Sequence, residues 1–360
     1  MKIVIPVIGF GTSGGYRVLS RLADEWIKLG HSVSFISTEW SIAPYFPTNA
    51  EVIWVNDIGE SVIVERKRQL SGVIGVLRVL KSIFYGLKKH AIDADVIIAN
   101  QNLTVWPVAF LRTFAKKIYY VQAYEPEYYH SNDFKSKILK FLSYLSYYVI
   151  DEKIVNSSIY LRYKNIRAEK VVPPGIDFNI FYPIHSAHEN KTWIIGCVGR
   201  KEPEKGTKYV VDAFEKLSAL GFPVKLHVAY GNVPDKILSR ENCQIIIPKD
   251  DGGLGDFYRG LDIMIAPGTV QLGAAHYPVL EAMACGIPVI TTGYIPADNT
   301  NSWIVPINDA TSIVEAVKNI MAAPENVRSD KVKKANKDVQ LFSWPIVAGK
   351  FINYIETSIR

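Results

Sequence analysis

Twice along this chain a short apolar run is followed by a glycine turn and then a helix-length amphipathic stretch, and each time the alternation continues strand after strand. Runs of about four to eight apolar residues separated by helical periods specify βαβ units, whose crossovers make neighbouring strands parallel. In the first half, strands are expected at 2–8, 32–37, 52–55, 96–99, 117–122 and 153–156. An amphipathic helix is expected at 16–29, closed by Gly30, and a longer one at 73–89. The second half repeats the alternation, with strands expected at 193–198, 225–229, 244–247, 263–266, 289–292 and 302–305. Between the halves, Val171-Val172-Pro173-Pro174-Gly175-Ile176-Asp177 reads as a stiff turn, and the charged stretch 185–191 precedes the fresh strand at Trp193. The expected fold class is α/β, with two Rossmann-like, doubly wound domains facing a central cleft. The expected boundaries are 1–175, 176–343 and a last helix at 344–360, after a break near Phe342-Ser343.

Composition narrows the partners. Hydrophobic residues make up 48% and charged residues 21%, which suits a globular protein with a full core. The net charge of +6 fits anionic ligands or anionic lipid, and the scatter of Lys and Arg argues against nucleic acid. Cys197, Cys243 and Cys285 are odd in number and far apart, so neither a disulfide framework nor a zinc site is expected. The apolar run after Met1-Lys2 is broken early by Gly9 and Gly11, too soon for a signal peptide. No other stretch reaches the roughly 18 apolar residues of a spanning helix. A cytoplasmic location follows as the default expectation.

Three constellations carry candidate chemistry. The first is G-R-K-E-P-E-K-G, from Gly199 to Gly206, at the mouth of the strand 193–198. A turn after a parallel strand faces the ligand crevice of an open α/β sheet. Two cations there, Arg200 and Lys205, beside backbone N–H groups, suit a diphosphate; the plain alternative is a solvated loop. The second is G-F-G-T-S-G, Gly9 to Gly14, which matches the dinucleotide fingerprint. That fingerprint requires an acidic residue about 20 positions on, at the end of the second strand. Glu39 is the one candidate and lies past that spot. Gly14-Gly15 instead lets a phosphate or sugar hydroxyl approach a helix start, or simply allows tight packing. The third runs from Pro278 to Ile290, P-V-L-E-A-M-A-C-G-I-P-V-I, on a helix starting near Tyr277. Glu281, one turn inside, is suited to the paired hydroxyls of a ribose, or else stabilises the helix dipole.

On these residues the chain resembles the family 4 retaining glycosyltransferases of the GT-B fold. G-R-x-x-x-E-K-G is matched by Gly199, Arg200, Glu204, Lys205 and Gly206, and P-V-L-E-A-M-A-C-G-x-P-V-I by Pro278 through Ile290. The linker V-P-P-G-I-D-x-x-x-F is matched by Val172 through Phe181. The resemblance implies that Arg200 and Lys205 hold a donor diphosphate and act in catalysis, and that Glu281 holds the ribose. It also implies donor contacts from Gly199, His276, Tyr277, Pro278 and Val279, and a last helix that returns to the first domain. The donor it implies is a nucleoside-diphosphate sugar, and the acceptor a glycan or lipid-linked molecule, as in cell-surface polysaccharide synthesis. Retention of anomeric configuration is implied. The turn 274–277 is expected to add N–H donors, and no D-x-D cluster stands where a metal would bridge the phosphates. No metal and no cofactor besides the donor is therefore expected. Rival readings are an epimerase or sugar phosphorylase of the same fold, or a non-catalytic nucleotide-sugar binder.

Two departures stand out, one at 273–276 and one at 120–129, which occupies the region where many relatives carry a histidine near the sugar. Where the family pattern E-x7-E has its first glutamate this chain has Gly273, and His276 replaces the usual glycine before Pro278. H-Y-P-x-L-E resembles rhamnosyltransferase-like members, as does Y-V-Q-A-Y-E-P at 120–126. Gln122 and Glu125 are candidate sugar contacts, or a loop cap and a solvated glutamate; His130 reads as a surface residue. The stretch 134–148 has lysines at 135, 137 and 140 among Phe, Leu and Tyr. Such a basic amphipathic helix can lie on anionic lipid at the inner face of a membrane, or be an ordinary packed helix.

Overall fold

The structure, a computed structural model, describes residues 1–11, 13–63, 72–129, 133–184 and 192–359. Thr12 of the first glycine turn, His130, the stretch 185–191 and the side chain of Lys135 lie outside the described residues. Two compact units form: Met1–Pro174 together with Trp344–Arg360, and Gly175–Ser343.

In the first unit the strands are β1 (Lys2–Pro6), β2 (Ser32–Thr38), β3 (Glu51–Val55), β4 (Val96–Ala99), β5 (Lys116–Val121), β6 (Lys153–Val155) and β7 (Lys170–Val171). They pair in parallel in the order β3-β2-β1-β4-β5-β6-β7. The helices are α1 (Gly14–Lys28), α2 (Gly72–His90), α3 (Asn102–Phe110) and α4 (Phe134–Ser146). Ile3, Val4 and Ile5 of β1 are all fully buried, because a parallel sheet is covered on both faces. α1 buries Val18, Leu19, Leu22, Ala23 and Trp26, one face at helical spacing. β7 was not expected. Lys170 and Val171 pair with Ile154 and Val155 before Pro173, which has no N–H to extend the ladder.

The second unit holds β8 (Trp193–Val198), β9 (Val224–Ala229), β10 (Cys243–Ile246), β11 (Ile263–Ala266), β12 (Val289–Thr291) and β13 (Trp303–Ile304). These pair in parallel as β10-β9-β8-β11-β12-β13. Its helices are α5 (Thr207–Ala219), α6 (Asp235–Leu238), α7 (Asp251–Arg259), α8 (Tyr277–Ala284), α9 (Ala310–Ala322) and α10 (Glu325–Val339). The order 3-2-1-4-5-6 within the unit is the doubly wound arrangement, and it reverses between β8 and β11.

The last helix, α11 (Trp344–Ile359), belongs to the first unit. Trp344, Val347, Ala348, Phe351, Ile352 and Ile355 are buried at a spacing of three and four residues. They pack on α1: the Trp26 indole donates to the Ala348 carbonyl at 3.2 Å, and the rings of Trp26 and Phe351 meet edge to face at 5.1 Å. Burial of a side chain such as Phe351 is worth about 2 kcal/mol. Among the described residues, no helix is long and apolar enough to cross a membrane.

Candidate functional site

The crevice of a doubly wound sheet opens at the carboxyl ends of the strands where the order reverses. In the second unit that point lies between β8 and β11, and the loop after β8 is Gly199–Gly206. Gly199 donates its N–H to the Ala229 carbonyl at 2.9 Å and accepts from the Asn232 side-chain amide at 3.0 Å. A Cβ on Gly199 would overlap the Gly231 carbonyl oxygen. Thr207, the first residue of α5, then clamps Arg200. Its hydroxyl accepts from the Arg200 N–H at 2.9 Å and donates to the Arg200 carbonyl at 3.1 Å. A 3-10 turn at Pro203–Lys205 leads to Gly206, whose φ of +77° is the left-handed geometry glycine adopts freely. The Glu204 carbonyl accepts from the Thr269 N–H at 2.8 Å, tying this loop to the one after β11.

These ties bring Arg200 and Lys205 to the wall of a cavity of about 230 Å³. His276, Tyr277 and Pro278, at the start of α8, form another part of that wall. Gly199, Val279 and Glu281 are not among its lining residues. Arg200 lies 3.4 Å from Glu202 with both side chains about half exposed, a pair too solvated to hold the guanidinium strongly. Burial, and then the charge of Arg200, lower the pKa of Lys205.

His276 is the N-cap of α8 and stacks on Tyr294 at 4.3 Å between centroids. Its Nδ1 is shielded from solvent and has no hydrogen-bond partner among the described residues. Burial first, then the charges of Lys205 and Arg200, lower its pKa to about 3. The ring is therefore neutral at physiological pH. It offers hydrogen bonding without adding a third positive charge.

The turn 274–277 offers fewer N–H donors than the sequence reading counts. The Ala274 N–H is already spent, donating to the Gln271 carbonyl at 3.0 Å. Gly273 has φ +86°, and its N–H donates to the Gly293 carbonyl at 2.9 Å. A glutamate would be strained in that conformation, which gives a backbone reason for glycine at this position. Glu281 lies one turn deeper than Tyr277 on the same face of α8 and is 2% exposed. Its Oε2 accepts from the Tyr258 hydroxyl at 2.9 Å, and Tyr258 is itself fully buried. Sequence reasoning missed Thr207, Tyr258 and Tyr294. Thr207 had a signal, a hydroxyl residue directly after the G-R-x-x-x-E-K-G turn; the two tyrosines had none.

The remaining predicted residues lie in the first unit. Gly14 and Gly15 open α1, and a Cβ on Gly15 would stand 3.3 Å from Gln122 Oε1. That Gln122 oxygen is buried and has no hydrogen-bond partner among the described residues. Glu125 caps α3: its carboxylate oxygens accept from the Asn102 N–H at 2.9 and 3.0 Å, and the Tyr119 hydroxyl donates to it at 3.4 Å. Burial outweighs these bonds and raises its pKa to about 7. The polar run Asn100-Gln101-Asn102 after β4, which supplies this cap, was legible as a polar break after an apolar strand but was not singled out.

The Glu125 shift fixes a sign. Relative to the ordinary value of 4.5, the folded protein holds this proton up to about pH 7 while the unfolded chain has released it. Stability from this group is thus full below pH 4.5 and is lost as pH rises to 7, by about 3 kcal/mol. Glu125→Gln keeps a carbonyl for the Asn102 N–H and removes the charge. Thermal denaturation is expected to find the variant more stable than the wild type at pH 8 by about 1–3 kcal/mol, with the gap closing near pH 4.5. A gap independent of pH would show that the carboxylate is not desolvated.

Comparison with known proteins gives concordant findings. Residues 192–323 match the family model described as Glycosyl transferases group 1. A probable sucrose-phosphate synthase of Thermosipho melanesiensis is 24% identical over 205 residues, 52% of this chain and 47% of that protein. The match thus spans less than half the length of that curated relative. A solved sucrose-phosphate synthase from Thermosynechococcus elongatus superposes with a TM-score of 0.74 at 17% identity, covering 99% of this chain and 98% of the other. Anabaena Alr3699/HepE, solved in complex with UDP and glucose, gives 0.71 at 13% identity, covering 99% and 100%. At such identities the likeness is one of fold. The chain therefore has the GT-B fold of two Rossmann-like units, and its second unit matches the group 1 glycosyltransferases over residues 192–323.

Proposed function

We propose that this chain is a glycosyltransferase that moves a sugar from a nucleoside diphosphate to a hydroxyl acceptor, with the donor held by the second unit. What carries this reading is the convergence of Arg200, Lys205 and the start of α8 on one cavity at the β8/β11 reversal. The family match over 192–323 and a neighbour of the same fold solved with UDP and glucose support it. In the reaction, the bond between the anomeric carbon and the diphosphate oxygen breaks, and its electron pair moves onto the phosphate. The acceptor oxygen bonds to the anomeric carbon, and its proton passes to a phosphate oxygen. Negative charge gathers on the leaving diphosphate. A fixed donor aimed at such charge is worth about 3–4 kcal/mol in the transition state. Arg200 and Lys205 take that part, without a divalent ion, and the family resemblance points to retention. His276 contributes a neutral hydrogen-bonding edge. The family resemblance gives the ribose hydroxyls to Glu281, which lies buried behind the cavity wall against Tyr258.

Within this reading the donor sugar is a 6-deoxyhexose, favoured by Gly273 in place of a carboxylate and by the H-Y-P-x-L-E pattern. Gly14, Gly15 and Gln122 are the acceptor or sugar contacts of the first unit, and the acceptor is a glycan or a lipid-linked sugar. The test is a thermal-shift panel of UDP, GDP and dTDP. One of them is expected to raise Tm, since a ligand at 100 times its Kd adds about 2.7 kcal/mol. Glu281→Gln is expected to raise KM for the matching nucleotide sugar by about 10-fold at near-constant kcat, as loss of a charge-assisted contact made equally in both states predicts. A flat panel overturns the donor assignment, and an unchanged KM removes Glu281 from the ribose site.

A further inference from the structure

α4 is built the wrong way round for water. Ser143 and Ser146 are fully buried, whereas Phe134 is 79% exposed and Phe141 61%. Ile138 and Tyr144 are also exposed, and with the two phenylalanines they fall at 134, 138, 141 and 144, so they share one face. Contiguous apolar exposure of this kind marks an interaction surface rather than chance.

Within α4 the charged residues are all basic. α4 contains no acidic residue, and Lys137 and Lys140 are exposed with no ion-pair partner among the described residues. With Phe141 and Tyr144 they border a groove of about 440 Å³, whose other side is Tyr124, Pro126 and Glu127. Glu127 accepts from the Tyr163 hydroxyl at 2.7 Å. Arg162 lies over the Tyr163 ring at 5.5 Å, and Tyr163 in turn stacks on Tyr124 at 4.0 Å. Arg167 lies over Tyr148 at 5.5 Å, just past the end of α4. Aromatic groups here thus have cations beside them, Lys137 and Lys140 at the groove, Arg162 at Tyr163 and Arg167 at Tyr148, with Glu127 on the groove's far side.

We propose that this face docks the protein on an anionic phospholipid bilayer. Phe134, Ile138 and Phe141 enter the boundary between headgroups and acyl chains, and Lys137, Lys140, Arg162 and Arg167 meet lipid phosphates. Charge favours this occupant over a second copy of the chain: the four cations outnumber Glu127 across the groove, so a two-fold pairing of the face with itself would leave cations set against one another. Tyrosines with a polar tip and an apolar body suit the same boundary.

The experiment is co-sedimentation of the full chain with vesicles of phosphatidylcholine, alone or mixed with phosphatidylglycerol. Binding is expected to the anionic vesicles only, and to be lost at about 1 M salt, where the screening length is about 3 Å. Each basic residue near such a surface contributes roughly 5-fold, so Lys137→Gln with Lys140→Gln is expected to lower the partition coefficient by about 25-fold. Phe134→Ser with Phe141→Ser is expected to lower it by about 10-fold or more. All four positions are exposed, so Tm serves as the control for folding. The proposal is overturned if the wild type ignores anionic vesicles, or if both double variants bind like the wild type. It is also overturned if those substitutions abolish a dimer and leave vesicle binding unchanged. Arg200→Ala is expected to bind vesicles normally, so failure here and failure of the donor assignment are separate results.

Discussion

Lys205→Ala is expected to lower kcat by about 100-fold or more, with the fold and Tm retained, and Arg200→Ala to do nearly as much. Both side chains line the cavity, yet neither supports the loop that carries them. The loop is held by backbone bonds to Ala229, Thr207 and Thr269, none of which uses the guanidinium or the ammonium. Truncation should therefore remove charge without moving the frame. Lys205 is the more buried of the two, and its lowered pKa reflects that desolvation. A charge that has already lost water interacts more strongly with a leaving phosphate than one still solvated. Arg200, half exposed beside Glu202, starts from the weaker position. Because both act on one diphosphate, the double variant should lose less than the product of the single losses. Turnover within about 3-fold of the wild type in both single variants, smaller than the loss of one such donor, would remove the cations from the chemistry.

The elements that were easiest to read were those whose signal is periodic. Strands such as Trp193–Val198 and Ile263–Ala266 appear where their apolar runs end in glycine or proline. β7 was illegible because two residues carry no period. The fingerprint at Gly9–Gly14 shows why a motif needs its surroundings. Phe10 inside it is buried, with its ring 5.5 Å from Phe35 and 6.0 Å from Trp54, and its N–H donates to Ser41 Oγ at 2.8 Å. The turn is thus anchored by packing on β2 and β3. Glu125 illustrates the reverse. Its motif suggested a sugar contact or a solvated glutamate beside a loop cap, and the structure makes it a cap of α3 with a proton held to about pH 7. What decides that is the Asn102 amide, 23 positions away in sequence. No local pattern announces such a partner, and the same holds for Tyr258 beneath Glu281.

Gly199→Ala is expected to destabilise the protein by about 3 kcal/mol or more and to abolish the thermal shift by nucleotide. The reason is steric and local. Gly199 is not in the left-handed region, so alanine is acceptable to its own backbone. The new Cβ, however, would overlap the carbonyl oxygen of Gly231, and backbone cannot swing aside as a side-chain end does. Gly231 is the middle of three consecutive residues with positive φ, Tyr230 at +63°, Gly231 at +72° and Asn232 at +62°. Such a turn has few alternative shapes, and Asn232 is bonded to the Gly199 carbonyl itself. Overpacking commonly costs about 1–3 kcal/mol, and a clash between two backbones belongs at or beyond the top of that range. Gly221→Ala is the matched comparison. It has φ +79° with nothing within 4 Å of a Cβ, so it isolates conformational strain at about 1–2 kcal/mol and should leave nucleotide binding intact. Since Arg200 follows Gly199 directly, any relief of the clash carries the guanidinium with it. If Gly199→Ala melts like the wild type and still responds to nucleotide, the carbonyl of Gly231 does not set this loop. The position of Arg200 at the cavity wall would then need another cause.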